Sequence, residues 1–241
     1  KFEDIPSDFR LNVAQWQQVI AELKGETHID KKAIGRFVSG LSYPLHFLDF
    51  ESFQPAVPLY DHSHPYQQIV FQYSLHILDS PDALLQHRYF LAPADKADPR
   101  IPFISQLVED INPTGDILVF NRSFEASRLN EISATFPNFQ FQISNLTSRI
   151  KDLMDIFQKR YYYVPEMKGS YSIKQVLPAL APQFSYEGLA IADGGSASHA
   201  FMALHSEPNP EKIAETRNNL LEYCKLDTLA MVEILNVLQR I

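Results

Sequence analysis

The run Leu45-His46-Phe47-Leu48-Asp49-Phe50-Glu51-Ser52 constrains this chain more than any other stretch. Side chains of a strand alternate between two faces. One face carries Leu45, Phe47, Asp49 and Glu51, and the other carries His46, Leu48 and Phe50. A strand that is apolar on both sides belongs in the middle of a sheet with both faces covered. Asp49 and Glu51 then share a face inside a buried element. Clustered carboxylates raise one another's pKa unless a cation holds them. Oxygen-only sites suit Mg²⁺ or Mn²⁺, and Mg²⁺ commonly bridges carboxylates and substrate phosphates. The expectation is a metal-dependent phosphodiesterase site. The alternative is a solvated carboxylate pair on an edge strand.

Two further segments carry residues of the same chemistry. In Tyr223-Cys224-Lys225-Leu226-Asp227 a phenol precedes a carboxylate by one helical turn, on one helix face. Asp227 has apolar neighbours in Leu226, Leu229, Ala230 and Val232, so this helix is expected to be substantially buried. In Phe120-Asn121-Arg122-Ser123-Phe124-Glu125 an apolar strand gives way to a helix, with Ser123 as the expected cap. Ligands of open α/β sheets collect at the carboxyl ends of strands, which brings Glu125 within reach of the same site. Taken alone, Glu125 is better explained by the positive end of its helix.

Composition bounds the rest. The chain has 241 residues, 45% hydrophobic and 21% charged, an ordinary globular balance. Its net charge of −8 gives no basic footprint for nucleic acid, although an acidic site inflates that number. A single cysteine, Cys224, precludes an intrachain disulfide and a cysteine-based zinc site, which fits a reducing cytoplasm. No run of about 18 apolar residues is present, so no membrane span is expected. The chain starts at Lys1 and enters a polar helical pattern, as a domain excised from a longer protein would.

Residues 1–40 read as a helical lead-in and linker to an upstream domain of the same polypeptide. Asn12 or Ser7-Asp8 would cap a helix over Val13–Leu23, and Asp30 a second over Lys31–Ser39. Residues 41–241 read as one α/β domain. Strands are expected at Leu45–Ser52, Gln68–Leu78 and Leu84–Leu91, as an antiparallel meander. Then come a helix from Pro99 to Ile111, a strand at Asp116–Asn121 and a helix to Thr135. Helices are expected at Phe136–Ser148, Lys151–Tyr161, Ser172–Leu180, Ser196–His205 and Pro210–Ile241. The sum is a three-layer architecture with a mixed sheet.

Asp49-Phe50-Glu51, Asn121-x-x-Phe124-Glu125 and Tyr223-x-x-x-Asp227, in that order, resemble the three exonuclease motifs of the ribonuclease H-like DEDD group, in the DEDDy variant with tyrosine in the third motif. Tyr43–Glu51, Phe71–His76, Lys168–Lys174 and Tyr223–Met231 resemble a bacterial family of uncharacterised predicted nucleases in that superfamily, over residues 40–240. The resemblance implies a ribonuclease H-like fold. It implies a 3′–5′ exonuclease acting on single-stranded or frayed DNA or RNA with two Mg²⁺ or Mn²⁺ ions. Asp49 would bridge both ions, Glu51 and Asp227 would complete their shells, and Tyr223 would orient the attacking water. Glu125 stands where the pattern usually has Asp. The resemblance implies that Ser52 and Phe53 contact the terminal nucleotide, with Phe53 placed to stack on a base. Asn121 joins the substrate-binding set.

Lys168-Gly169-Ser170-Tyr171-Ser172-Ile173-Lys174 reads as a loop entering a helix. Lys168, Ser170 and Lys174 there are candidate phosphate contacts, against the plainer reading of a capped helix. Asp61-His62-Ser63-His64 resembles a metal cluster but lies among prolines and reads as surface loop. Two rivals stand beside the exonuclease: a non-catalytic nucleic-acid-binding or docking module of the same fold, and a phosphohydrolase of small esters.

Overall fold

The computed structural model describes Lys1–Ile241. In chain order its elements are α1 (Val13–Lys24), β1 (His28–Ile29), α2 (Lys31–Ser39), β2 (Leu45–Phe53), β3 (Ile69–Leu78), β4 (Gln86–Leu91), α3 (Arg100–Asp110), β5 (Ile117–Val119), α4 (Arg122–Thr135), α5 (Gln140–Ser148), β6 (Ile150–Asp152), α6 (Asp155–Gln158), β7 (Tyr162–Tyr163), α7 (Ile173–Leu180), α8 (Gly194–Leu204) and α9 (Pro210–Gln239). The chain divides into two compact units. One comprises Lys1–Leu41, Asp152–Ser185 and Ala230–Ile241, and the other Ser42–Lys151 and Tyr186–Leu229. The lead-in expected at residues 1–40 thus shares its unit with two later segments.

The second unit is built on a mixed sheet of order β4-β3-β2-β5-β6, with β2 in the middle as its two apolar faces require. The expected meander is present: β2 and β3 pair antiparallel, as do β3 and β4, while β2 and β5 pair parallel. Each face is covered by a helix. On one, Phe50, Tyr73 and Phe90 stand in cross-strand register. Their rings lie 5.0, 5.4 and 5.7 Å from that of Phe103 in α3, in edge-to-face geometry. The Tyr73 hydroxyl donates to Asp110 Oδ2 at 2.5 Å, which anchors the end of α3. On the other face lies α9 as far as Leu229. Gln72 donates to the Leu220 carbonyl at 2.8 Å, and Ser74 Oγ lies 2.7 Å from Thr228 Oγ1. His76 Nδ1 meets the same threonine oxygen at 2.8 Å. Buried polar groups of this kind are costly to leave unpaired, so they fix the rotation of α9 over the sheet.

The register of β2 on β3 slips between Glu51 and Ser52, and Phe71 is the additional residue on β3. Phe71 stacks on Phe201 of α8 at 4.0 Å, and Phe53 approaches the same ring at 5.4 Å. The bulge therefore seats α8 against the end of β2.

Two local expectations are corrected. Lys151–Tyr161 is not a helix: Ile150–Asp152 forms the last strand of the sheet, and only Asp155–Gln158 is helical. Three residues are too few to show alternation, and their extended form is set by pairing with a neighbour. Ser123 does not cap α4. Asn121 takes that position with φ 111°, and Ser123 Oγ donates to Asn121 Oδ1 at 2.5 Å. The chain turns through a left-handed residue straight after β5, so the helix begins before the serine. The caps at Asn12 and Asp30 form as expected.

In the first unit β1 and β7 form a two-stranded ladder. The Tyr163 hydroxyl ties α1 to the loop before α7, donating to Glu22 at 2.5 Å and accepting from the Gly169 N–H at 3.0 Å.

Gly115 sets the entry to β5. Its φ is +85°, and a Cβ there would lie 2.0 Å from the Pro44 carbonyl oxygen. Beside it the Asp116 N–H donates to the Ser42 carbonyl at 2.8 Å and the Ser42 N–H to Asp116 Oδ2 at 2.9 Å. Gly115→Ala is expected to destabilise the fold by more than about 2 kcal/mol, read as a lower midpoint in urea denaturation.

Candidate metal centre

Four carboxylates and two phenols meet on the α9 face of β2. Asp49 and Glu51 point there because the strand alternates, and β2 is held in phase by pairing on both edges. Asp227 points back at them because its neighbour Thr228 is tied to Ser74, the register partner of Asp49. Tyr223 lies one turn earlier on the same helix face. Glu125 reaches in from the first turn of α4 and is buried.

The charges are mutually visible. Asp49 is held well above the usual carboxylate range, first by burial, then by Asp227, Glu51 and Glu125 in that order. Tyr223 is pushed far up by burial and by Asp227, Glu51 and Asp49, so its phenol keeps its proton at any ordinary pH. One ligand atom each from Asp49, Glu51 and Cys224 lies within 4.8 Å of the others. Glu51 is buried while Asp49 is partly exposed, which leaves an approach from solvent.

Sequence reasoning missed two members of this cluster. Tyr186 donates to Asp227 Oδ1 at 2.7 Å, and burial and the Asp227 charge raise its pKa strongly. It lies outside every motif, and no spacing marks it. Cys224 donates a weak hydrogen bond to Asp49 Oδ2, with sulfur and oxygen 3.6 Å apart. Its thiol is pushed up by burial and then by Asp49, Glu51 and Asp227, which keeps it protonated. The position of Cys224 between Tyr223 and Asp227 was a usable signal, because a buried helix places consecutive residues on adjoining faces.

The donor set fits a hard divalent cation. Asp49, Glu51, Glu125 and Asp227 would supply oxygen ligands, and a cation among them would offset both the burial and the mutual repulsion that raise the Asp49 pKa. Cys224, as a neutral thiol, would support Asp49 rather than bind such an ion.

The substrate-binding expectations divide. Ser52 is half-buried and lines a pocket that opens beside Glu51. Phe53 does not face substrate: it is 0% exposed and packs against Phe71, Phe201 and Tyr60. The bulge after Glu51 turns its ring into the core. Asn121 is exposed at the left-handed turn into α4. Lys168, Ser170 and Lys174 belong to the first unit. Lys168 is a left-handed residue, and Ser170 Oγ accepts from the Ser172 N–H at 3.1 Å. His62 and His64 are exposed in the loop after β2, as expected of surface.

The fold and the site thus define a mixed α/β sheet protein with a carboxylate-rich centre between its middle strand and a long helix. Residues 46–172, more than half of the chain, match the family model "Domain of unknown function (DUF2779)", and the chain belongs to that family. It is 30% identical over 167 residues to "Uncharacterized protein UU173" of Ureaplasma parvum, covering 61% of this chain and 24% of the relative. It is 29% identical over 206 residues to "Uncharacterized protein MG366 homolog" of Mycoplasma pneumoniae, covering 78% and 31%. Against "Uncharacterized protein MG366" of Mycoplasma genitalium it is 26% identical over 216 residues, covering 80% and 32%. The chain therefore spans about a quarter to a third of the length of these curated relatives. No solved structure matches. No helix is long and apolar enough to cross a membrane.

The raised pKa of Asp49 fixes the sign of a stability measurement. In the folded, metal-free protein Asp49 holds its proton to higher pH than in the unfolded chain. Its burial is then harmless below about pH 4 and costs stability as pH rises through the raised folded pKa. In EDTA the melting temperature should fall with rising pH over that window. Asp49→Asn should flatten the slope and raise Tm at neutral pH, by roughly 2–4 °C per kcal/mol of repulsion relieved. A loss of stability in Asp49→Asn under EDTA would instead make Asp49 a structural acceptor.

Proposed function

We propose that this chain is a divalent-metal-dependent phosphodiesterase of the ribonuclease H-like DEDDy type, a 3′–5′ exonuclease on single-stranded or frayed DNA or RNA. The observation that carries this reading is the convergence of Asp49, Glu51, Glu125 and Asp227 with the phenol of Tyr223 at one place on the sheet. The meander followed by a parallel strand, with α3 and α9 on opposite faces, is compatible with a ribonuclease H-like fold.

In this reading Asp49, Glu51, Glu125 and Asp227 hold two Mg²⁺ or Mn²⁺ ions. Such ions, when bound, generate a nucleophile from water and stabilise charge on the leaving oxygen of a phosphodiester. Everything else falls to the protein. Tyr223 retains its proton at Oη and orients the attacking water by a hydrogen bond. Tyr186 donates to Asp227 Oδ1 and fixes the orientation of that carboxylate. Cys224 steadies Asp49 from the helix side. Glu125 reaches from α4 with one methylene more than the usual Asp.

A second reading keeps the fold and the nucleic acid but drops the chemistry. It is favoured by Glu125 and by the hydrogen bonds that Tyr186 and Cys224 already make to Asp227 and Asp49. Oligonucleotide binding without turnover in Mn²⁺ would select it.

The test is digestion of end-labelled single-stranded DNA and RNA with Mn²⁺. Wild type should shorten the strands and Asp49→Ala should not. Tyr223→Phe should lower the turnover rate about ten- to a thousandfold with substrate binding nearly unchanged, as for an interaction made in the transition state. Strand shortening by Asp49→Ala at the wild-type rate would defeat the reading.

A further inference from the structure

Helix α1 has its polarity reversed. Its polar residues face the body of its own unit: Gln18 Oε1 accepts from Arg160 Nη2 at 3.2 Å, and Glu22 accepts from the Tyr163 hydroxyl. Its large apolar residues face solvent. Val13 is 75% exposed, Trp16 43%, Ile20 45% and Leu23 52%. Their spacing of three, four and three residues puts all four on one side of the helix. A helix covered only by water shows the opposite arrangement. A contiguous apolar stripe of this kind marks a face that another body covers.

The pattern selects the partner. Reversing the chain direction leaves a three-four-three spacing unchanged, so two copies of α1 can lie antiparallel about a two-fold axis at Gln18. Each stripe then meets itself: Val13 faces the partner's Leu23, and Trp16 faces the partner's Ile20. Alternating steps of three and four form the seam on which helices pair. The same axis sets Arg10, just before the helix, against the partner's Glu26, just after it, and does so twice. Both residues are exposed. A membrane surface is a poorer match. Helices that lie on lipid carry Lys and Arg along their polar face. Here that face carries Gln15, Gln17, Gln18 and Glu22, with Lys24 as the one cation of the helix.

We infer that α1 is a self-association surface: two copies of this chain pair antiparallel through Val13, Trp16, Ile20 and Leu23, with Arg10 and Glu26 flanking the seam. None of these residues belongs to the metal centre, so the pairing is independent of the phosphodiesterase reading.

Trp16 is the chain's one tryptophan, so its emission reports on the stripe directly. Sedimentation velocity and tryptophan emission are read on the same samples of the 241-residue chain, from about 1 to about 100 μM, a range suited to a small interface. The mass should rise from monomer toward dimer, and the emission maximum should move to the blue in parallel. Ile20→Arg should stay monomeric with unshifted emission throughout. Its melting temperature at the lowest concentration should match wild type, because the side chain points outward; if it loses stability, the charge variants decide alone. Arg10→Glu and Glu26→Arg should each weaken pairing about two- to tenfold at low salt. Together they should restore it, since both ion pairs re-form with their charges exchanged. A monomer at the highest concentration, a dimer with unshifted Trp16 emission, a stably folded Ile20→Arg that still pairs, or a double charge reversal that fails to restore pairing would each overturn the proposal. A monomer whose Trp16 emission shifts only on anionic lipid vesicles would overturn it in favour of a membrane surface.

Discussion

Asp49 is a carboxyl group in the middle strand of a sheet, and burial first, then the charges of Asp227, Glu51 and Glu125, push its pKa well up. Like charges brought together in a poorly solvated place separate unless the surrounding structure restrains them. Here the restraint is hydrogen bonding around the cluster. Gln72 holds the Leu220 carbonyl, and Ser74 and His76 converge on Thr228 beside Asp227. Thr228 Oγ1 also donates to the Lys225 carbonyl at 3.1 Å. Ser74 and His76 are then its donors, and His87 Nε2, 2.9 Å from Ser74 Oγ, donates into the chain. Burial lowers both histidines, His76 to about 3, so they stay neutral and do not add charge behind the cluster.

The same restraint explains the layering. Aromatic packing of Phe50, Tyr73 and Phe90 on Phe103 dominates one face of the sheet. The opposite face alternates polar groups that have partners with carboxylates that repel. Stability is thus concentrated on the α3 face and chemistry on the α9 face. The bulge at Phe71 divides them along the strand, since it ends the regular ladder just past Glu51 and turns Phe53 inward.

Much of this was legible from residues. The middle position of β2 followed from apolar side chains on both faces, and the meander from three apolar runs separated by turn residues. The shared face of Asp49 and Glu51, and of Tyr223 and Asp227, followed from the periods of strand and helix. The last strand was not legible, because Ile150–Asp152 is shorter than any window that shows alternation. The role expected for Phe53 failed because a register slip has no signature in the sequence here. Tyr186 stayed hidden because its hydroxyl meets Asp227 only through the course of the chain between α7 and α8.

Sequence by itself determined the class of the fold, the middle strand and the chemical type of the centre, because period and polarity are local properties. Tertiary structure alone decided which carboxylates share one cluster, and that Tyr186 and Cys224 join it. It also decided that Phe53 turns into the core. Those outcomes depend on register, on a bulge and on the rotation of α9. Each is set by contacts between residues far apart in the chain, such as Ser74 with Thr228, and no local pattern encodes them.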